Sequence, residues 1–263
     1  MKIVCEDKFF IFAPLWKNTA LKYKLLNIIL LLLSLGTVKA QMMMLPDSMA
    51  MMGAPCQEMP LVKDHQGNWY RTVQIGKQCW MAENMRCTTS PSGKHWISNP
   101  TFTVSAPLFS SYYVQHQVQQ YGYLYNWAAA MDVNREDEDK LDANAQRRGI
   151  CPQGWHLPSS DEWSILVNVL GGSHVAGAMM KCPSSLWESP VFSPKGECGF
   201  SAMPAGLFTE EGMSNLGYDA QFWSSSTFNR SMAWCCGLYS YNNNSLNSLD
   251  YKCYARSVRC VMD

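Results

Sequence analysis

The chain has no excess of positive charge, no apolar run as long as a membrane span, no C-x-x-C pair and only five histidines. Each absence removes a class of function. Lysine plus arginine and aspartate plus glutamate both number 21, so nothing offers a basic track to a phosphate backbone, and nucleic acid is excluded as a partner. The longest apolar stretch, Leu25 to Val38, falls short of the roughly 20 residues a spanning helix needs. Without C-x-x-C spacing or clustered histidines a zinc site has no ligand set. Asp132 to Asp142 carries six acids, yet lacks the glycine that bends a calcium loop, and reads as a solvated loop.

What is present begins with that apolar stretch. Lys17, Lys22 and Lys24 precede it and Val38-Lys39-Ala40 ends it. This is the pattern of a secretory signal peptide over residues 1–40, cut after Ala40, and it leaves no transmembrane anchor. No cysteine directly follows Ala40, so a lipid anchor there has no support. Without its six lysines and two acids, the remainder carries 15 basic and 19 acidic residues. Residues 41–60 form a flexible linker. Six methionines lie between Met42 and Met52, interrupted by Pro46 and followed by Gly53, Pro55 and Pro60. Thioethers bind Cu(I), but a mobile tail is the simpler reading.

Cysteine usage agrees with export. Ten of the eleven cysteines follow the leader, an even number that reads as disulfides made in an oxidising compartment. Cys182 and Cys198 are placed to staple the irregular loop between them. Cys236 and Cys253 face each other if the turn at Asn242-Asn243-Asn244 centres near Asn244. Cys235-Cys236 could instead be a reactive pair, though Cys253 offers a structural partner.

The domain starts near Leu61. Gln66-Gly67-Asn68 marks a hairpin turn, Trp69 to Ile75 an alternating strand, and Cys79-Trp80-Met81 a further short strand. Thr88 to Gln120, rich in Ser, Thr, Pro and Gln, reads as a surface insertion. Tyr121 to Met131 enters a first helix. Gly149 to Trp163 is a loop turning into a second, with Ser159 or Ser160 as cap, Asp161 and Glu162 in its first turn, and Trp163, Leu166, Val167 and Leu170 at helical spacing. Gly171-Gly172 stops it. Later strands are expected at Gly199 to Gly206, Ala220 to Ser226, Met232 to Tyr241, Leu249 to Tyr254 and Ser257 to Val261.

These segments resemble one family in order. Gly67-Asn68, Tyr70, Thr72-Val73, Ile75-Gly76 and Trp80 to Asn84 resemble the opening of the Fibrobacter succinogenes major paralogous domain. Tyr125 to Met131 and Gly149 to Trp163 are similar to its middle, and Gly199 to Ala202, Phe222 to Ser225 and Ser257 to Val261 to its end. The likeness spans residues 61–263 and implies an exported bacterial protein, often at the cell surface, with no particular reaction attached. It also implies a disulfide between Cys151 and Cys260. Cys56, Cys79, Cys87 and Cys235 stay unassigned. A more distant similarity to formylglycine-generating-enzyme-like domains implies the C-type-lectin-like fold. That is an α+β domain with two main helices, short antiparallel strands, long irregular loops and several disulfides.

The chemistry of those distant relatives does not carry over. The Glu-Pro-Asn or Gln-Pro-Asp and Trp-Asn-Asp elements of calcium-dependent lectins are missing, and no catalytic cysteine pattern is recognisable. Asp161 and Glu162 point about 100° apart on a helix and cannot face one substrate as a dyad. His156 beside Trp155 reads as a packed residue rather than a base. The expectation is therefore an exported, non-enzymatic surface or secreted domain, without catalytic residue, cofactor or metal, that binds a surface protein or glycan. Trp96, Tyr112, Tyr113, Trp187, Tyr239 and Tyr241 are the candidate contact aromatics, each weighed against ordinary core packing. The alternatives are a cysteine- or metal-dependent enzyme related to formylglycine-generating enzymes, and a structural subunit of a surface assembly.

Overall fold

Trp69–Ile75 (β2) buries Tyr70 and Thr72 on one face and Val73 and Ile75 on the other, while Trp69 and Arg71 at its start stay exposed. That strand pairs with Leu61–Lys63 (β1) on one side and Gln78–Met81 (β3) on the other. The computed structural model describes residues 53–94, 96–98, 108–110, 115–134, 137–138, 146–188 and 195–263. Residues 1–52, with the expected signal peptide and the methionine-rich stretch, lie outside the described residues.

Three sheets organise the domain, almost wholly by antiparallel pairing. The first has the order β1-β2-β3-β14-β7, where β7 is Trp155–His156 and β14 is Val261–Met262. The last strand of the chain thus lies in the middle of the sheet that the first strands began. The second sheet is Asp219–Thr227 (β10), Met232–Tyr239 (β11) and Ser245–Tyr251 (β12). The third runs Ile97–Ser98 (β4), Leu108–Ser110 (β5), Leu124–Asn126 (β6), Ala255–Arg256 (β13), Leu207–Thr209 (β8) and Gly212–Ser214 (β9).

Helix is scarce. The described helices are Gln115–Tyr121 (α1), Trp127–Ala130 (α2), Ser160–Val169 (α3) and Ser173–Met180 (α4). Among the described residues, fourteen strands against four short helices make the domain mostly β, which overturns the expected α+β, C-type-lectin-like fold with two main helices. The first expected helix failed for a specific reason. Every residue from Leu124 to Ala130 is buried, so the run carries no period to read. Its front became a strand because Tyr125 and Asn126 pair with Arg256 and Ala255. The remaining helix stops after one turn, where the Ala130 carbonyl accepts from Ile150 N at 3.0 Å. Gly149 makes that approach possible, since a Cβ there would lie 2.3 Å from the same carbonyl.

The second expected helix is α3, and local chemistry explains it. Ser159 and Glu162 form a reciprocal capping box, and Trp163, Leu166 and Val167 are buried. Trp163 packs 4.7 Å from Trp80 and 5.6 Å from Phe222, with Phe200 edge-on to all three. A second core gathers Tyr125, Trp127, Trp155 and Trp223, whose indole N–H groups find backbone acceptors at Ser224 for Trp127 and Tyr125 for Trp223.

Candidate functional site

The described residues build a cleft of about 580 Å³ between the β1–β2 turn and α1. The turn contributes Gln66 and Asn68; the segment after β3 contributes Arg86 and Thr88; α1 and the residues after it contribute Val118, Gln119 and Tyr123. Its size is that of a small-molecule site.

Buried Asp64 holds the turn rigid. Its carboxylate accepts from the backbone N–H groups of Gln66 and Asn68, from the Asn68 amide at 2.9 Å and from the Tyr70 hydroxyl at 2.8 Å. Gln66 then bridges to Thr88, its amide donating to the hydroxyl at 3.1 Å and its oxygen accepting the backbone N–H at 2.6 Å. Arg86 stacks 4.3 Å over the Tyr70 ring, donates to the Trp69 carbonyl and lies 3.5 Å from Glu83. Burial, with the neighbouring Asp64 charge, drives the Tyr70 phenol far above its ordinary pKa and keeps it a neutral donor. Trp69, next in sequence to Asn68, is 54% exposed, with the Lys63 ammonium 5.4 Å from its ring. The groups available in the cleft are amides, hydroxyls and one guanidinium already offset by Glu83. They can orient a polar ligand by hydrogen bonds.

The six expected contact aromatics scatter. Trp96 is buried edge-on to Tyr125, and Trp187 is buried beneath the Lys181 ammonium. Tyr239 lies half-buried, its phenol pushed up to about 12 by burial and the surrounding acidic groups. Tyr241 stacks on it at 5.4 Å and is the exposed member of the pair. Tyr112 and Tyr113 lie outside the described residues. None of the described four lines the cleft, and the exposed Trp69 was not among them. Alternation alone did not give its exposure, because Val73 and Ile75 on the same face of the strand are buried.

Two disulfides are present, Cys151–Cys260 and Cys56–Cys79. The other two expected pairs are not formed. Cys182 and Cys198 are buried thiols in one apolar cluster, with Cys198 Sγ donating to the Met179 carbonyl at 3.1 Å. Cys236 is opposite Asn247, not Cys253, because Leu238 pairs with Ser245. The turn is pulled towards Tyr239 by Lys181, whose ammonium binds the carbonyls of Tyr239 and Asn242. Burial pushes the Cys198 thiol up to about 11 and the Cys236 thiol up to about 12. Such thiols are poor nucleophiles.

His156 is fully engaged. Its Nδ1 lies 2.7 Å from Asp263, and its Nε2 lies 2.8 Å from Glu162, which also holds Ser159. With both ring nitrogens occupied and the serine turned to the carboxylate, these residues form a clamp rather than a nucleophile–base pair. One acid of the acidic stretch departs from the expected solvated loop. Glu138 is buried 3.6 Å from Lys252, which sits 4.2 Å over Trp127. Among the described residues, no group of three or more His, Cys, Asp or Glu side chains converges as a metal site. No described helix is by itself long and apolar enough to cross a membrane.

No curated protein and no solved structure matches the chain. The sequence pattern of the Fibrobacter succinogenes major domain matches residues 73–262, from the middle of β2 to the last strand. That span takes in both aromatic cores and the Cys151–Cys260 staple, and the chain belongs to the Fibrobacter succinogenes major domain family.

Proposed function

We propose that this is an exported binding domain that takes a polar ligand in the cleft between the β1–β2 turn and α1, and carries out no reaction on it. The supporting observation is a concave site walled by amide and hydroxyl groups and fixed by the Asp64 hub before any ligand arrives. Preorganised neutral groups lower the ordering cost of binding. The two disulfides suit an oxidising compartment, in line with export.

Ligands found by thermal-shift screening should slow amide exchange at residues 64–69, 86–88 and 118–123. A bound ligand that leaves those amides unchanged, or one that is chemically converted, refutes the proposal. A subunit of a surface assembly is the second reading. It is favoured by β12, an edge strand of seven residues without proline or lysine, whose one charge, Asp250, is taken up by Arg256. A constant monomer mass from micromolar to millimolar concentration would rule that reading out.

A further inference from the structure

We infer that the free edge of β12 pairs antiparallel with the β12 of a second copy, and that each Tyr251 enters a pocket of the other copy between α3, α4 and β12. This gives the assembly reading its partner and rests on that reading.

β12 ends its sheet: among the described residues it pairs with β11 alone. An edge of seven residues offers a row of backbone donors and acceptors to any strand laid beside it. Alternation sorts its side chains by face. Ser245, Asn247, Leu249 and Tyr251 share the face that α3 packs on. The Ser245 hydroxyl lies 3.3 Å from Cys236 Sγ in the core beneath α3, and the Asn247 amide donates to Ser164 of α3 at 3.1 Å. Leu246, Ser248 and Asp250 take the other face, where Ser248 meets Cys235 and Asp250 meets Arg256.

The face towards α3 differs from one end of the strand to the other. At its start lies a pocket of about 340 Å³, walled by Ser164, Val167 and Asn168 of α3, Ser173 of α4, and Ser245 and Asn247. At its end Tyr251 stands 49% exposed. A pocket and an exposed aromatic at opposite ends of one edge, on one face, are the two halves of an isologous contact. The antiparallel register that pairs all seven residues is centred on Ser248. It sets Tyr251 opposite Ser245 and Leu249 opposite Asn247, and side chains opposite each other in such a pair share a face. Ser245 and Asn247 are the two that line the pocket.

Charge and size specify the occupant. Among the described residues no charged side chain lines the pocket, so a neutral phenol suits it. The same register sets Asp250, the one charge of β12, opposite Leu246, whereas an in-register parallel pairing would set the two Asp250 carboxylates side by side. Seven strand residues and one pocket fall short of the roughly 20–30 residues a side of a standard interface, so the dimer is a weak one that forms between micromolar and millimolar concentration.

The full chain, purified with its disulfides intact, is followed by sedimentation over that range as wild type, Tyr251→Glu, Asn168→Arg and the double variant. Both positions are exposed, and Asn168 lies in the pocket wall. The expected result is a dimer weakened at least about tenfold by either single substitution and restored to within about threefold of wild type by the two together. The new carboxylate of one copy then meets the new guanidinium of the other. Such recovery also excludes misfolding as the cause of the single losses. Association that neither single variant weakens, or losses that the double variant does not recover, overturns the inference and leaves the assembly reading standing. So does slow exchange of every amide from 245 to 251 in the monomer, which would mean that the chain covers its own edge. A wild type that stays monomeric overturns both.

Discussion

The first sheet and the second sheet hold their short strands by different means. The first is stitched: Cys56–Cys79 ties its approach segment to β3, and Cys151–Cys260 ties the loop before β7 to the residue before β14. The second, β10-β11-β12, has cysteines of its own in Cys235 and Cys236 but no described disulfide. Around it stand buried cations. Arg256 lies 5.1 Å over Trp223 and pairs with Asp250, Lys252 covers Trp127, and Lys181 gathers the carbonyls of the β11–β12 turn. Between the two sheets Arg259 lies 4.3 Å over Phe200, donating to Asn84 and to the carbonyls of Met81, Phe200 and Ser201. A disulfide acts mainly on the unfolded chain; a buried cation acts only if every partner is in place.

Removing the long staple should show the largest effect. Cys151 and Cys260 close a loop across a sequence separation of 109, worth about 4–5 kcal/mol in the chain-entropy model. The paired variant Cys151→Ala/Cys260→Ala should lose that much in urea unfolding, and most of the sensitivity of the wild type to reductant should vanish with it. A loss under about 1 kcal/mol would mean that packing, not the staple, secures the central strand.

Arg259→Met comes next. It keeps the volume beneath Phe200 but strands the acceptors at Asn84, Phe200 and Ser201, at a cost of about 3 kcal/mol. The disulfide should still form, as mass spectrometry of unreduced peptides would show. A neutral or stabilising outcome would mean that the cation is replaceable by apolar packing.

The smallest effect is expected at the clamp that anchors the chain's last residue to α3. Burial pulls the His156 imidazole down, but hydrogen bonds and charge from Glu162 and Asp263 outweigh it and raise the group above its ordinary value. Burial likewise raises Glu162, yet His156 and the Ser159 contacts bring it below the ordinary carboxylate value. The His156 contribution is therefore full below the unfolded imidazole pKa near 6.5 and fades as pH rises through the raised folded value. The Glu162 contribution is present above its unfolded pKa near 4.5 and fades as pH falls through the lowered folded value. His156→Gln should flatten the alkaline side of the stability–pH curve; an unchanged curve would show that the clamp is idle.

Much of the first sheet was legible because its signals are local. Trp69 to Ile75 alternates, the glycine turn precedes it, and the caps of α3 sit within four residues of each other. The second sheet's register was not legible. Three asparagines in a row mark a turn without fixing its centre, and Lys181, some sixty residues earlier, decides it. The same distance problem hid the cleft. Gln119 and Asn68 belong to segments that read as an insertion and a turn, and nothing near either says that they meet.

The sequence by itself determined the family, the capped junction at Ser159 and an even set of cysteines suited to an oxidising compartment, because each is carried by residues close together in the chain or by their count. Tertiary structure decided which cysteines pair, where helix gives way to strand at Leu124, and which described tryptophan stays exposed. Those depend on what lies across the fold: a carbonyl taken by Ile150, a ladder with Ala255 and Arg256, and a carboxylate at Asp64 that freezes the turn beside Trp69.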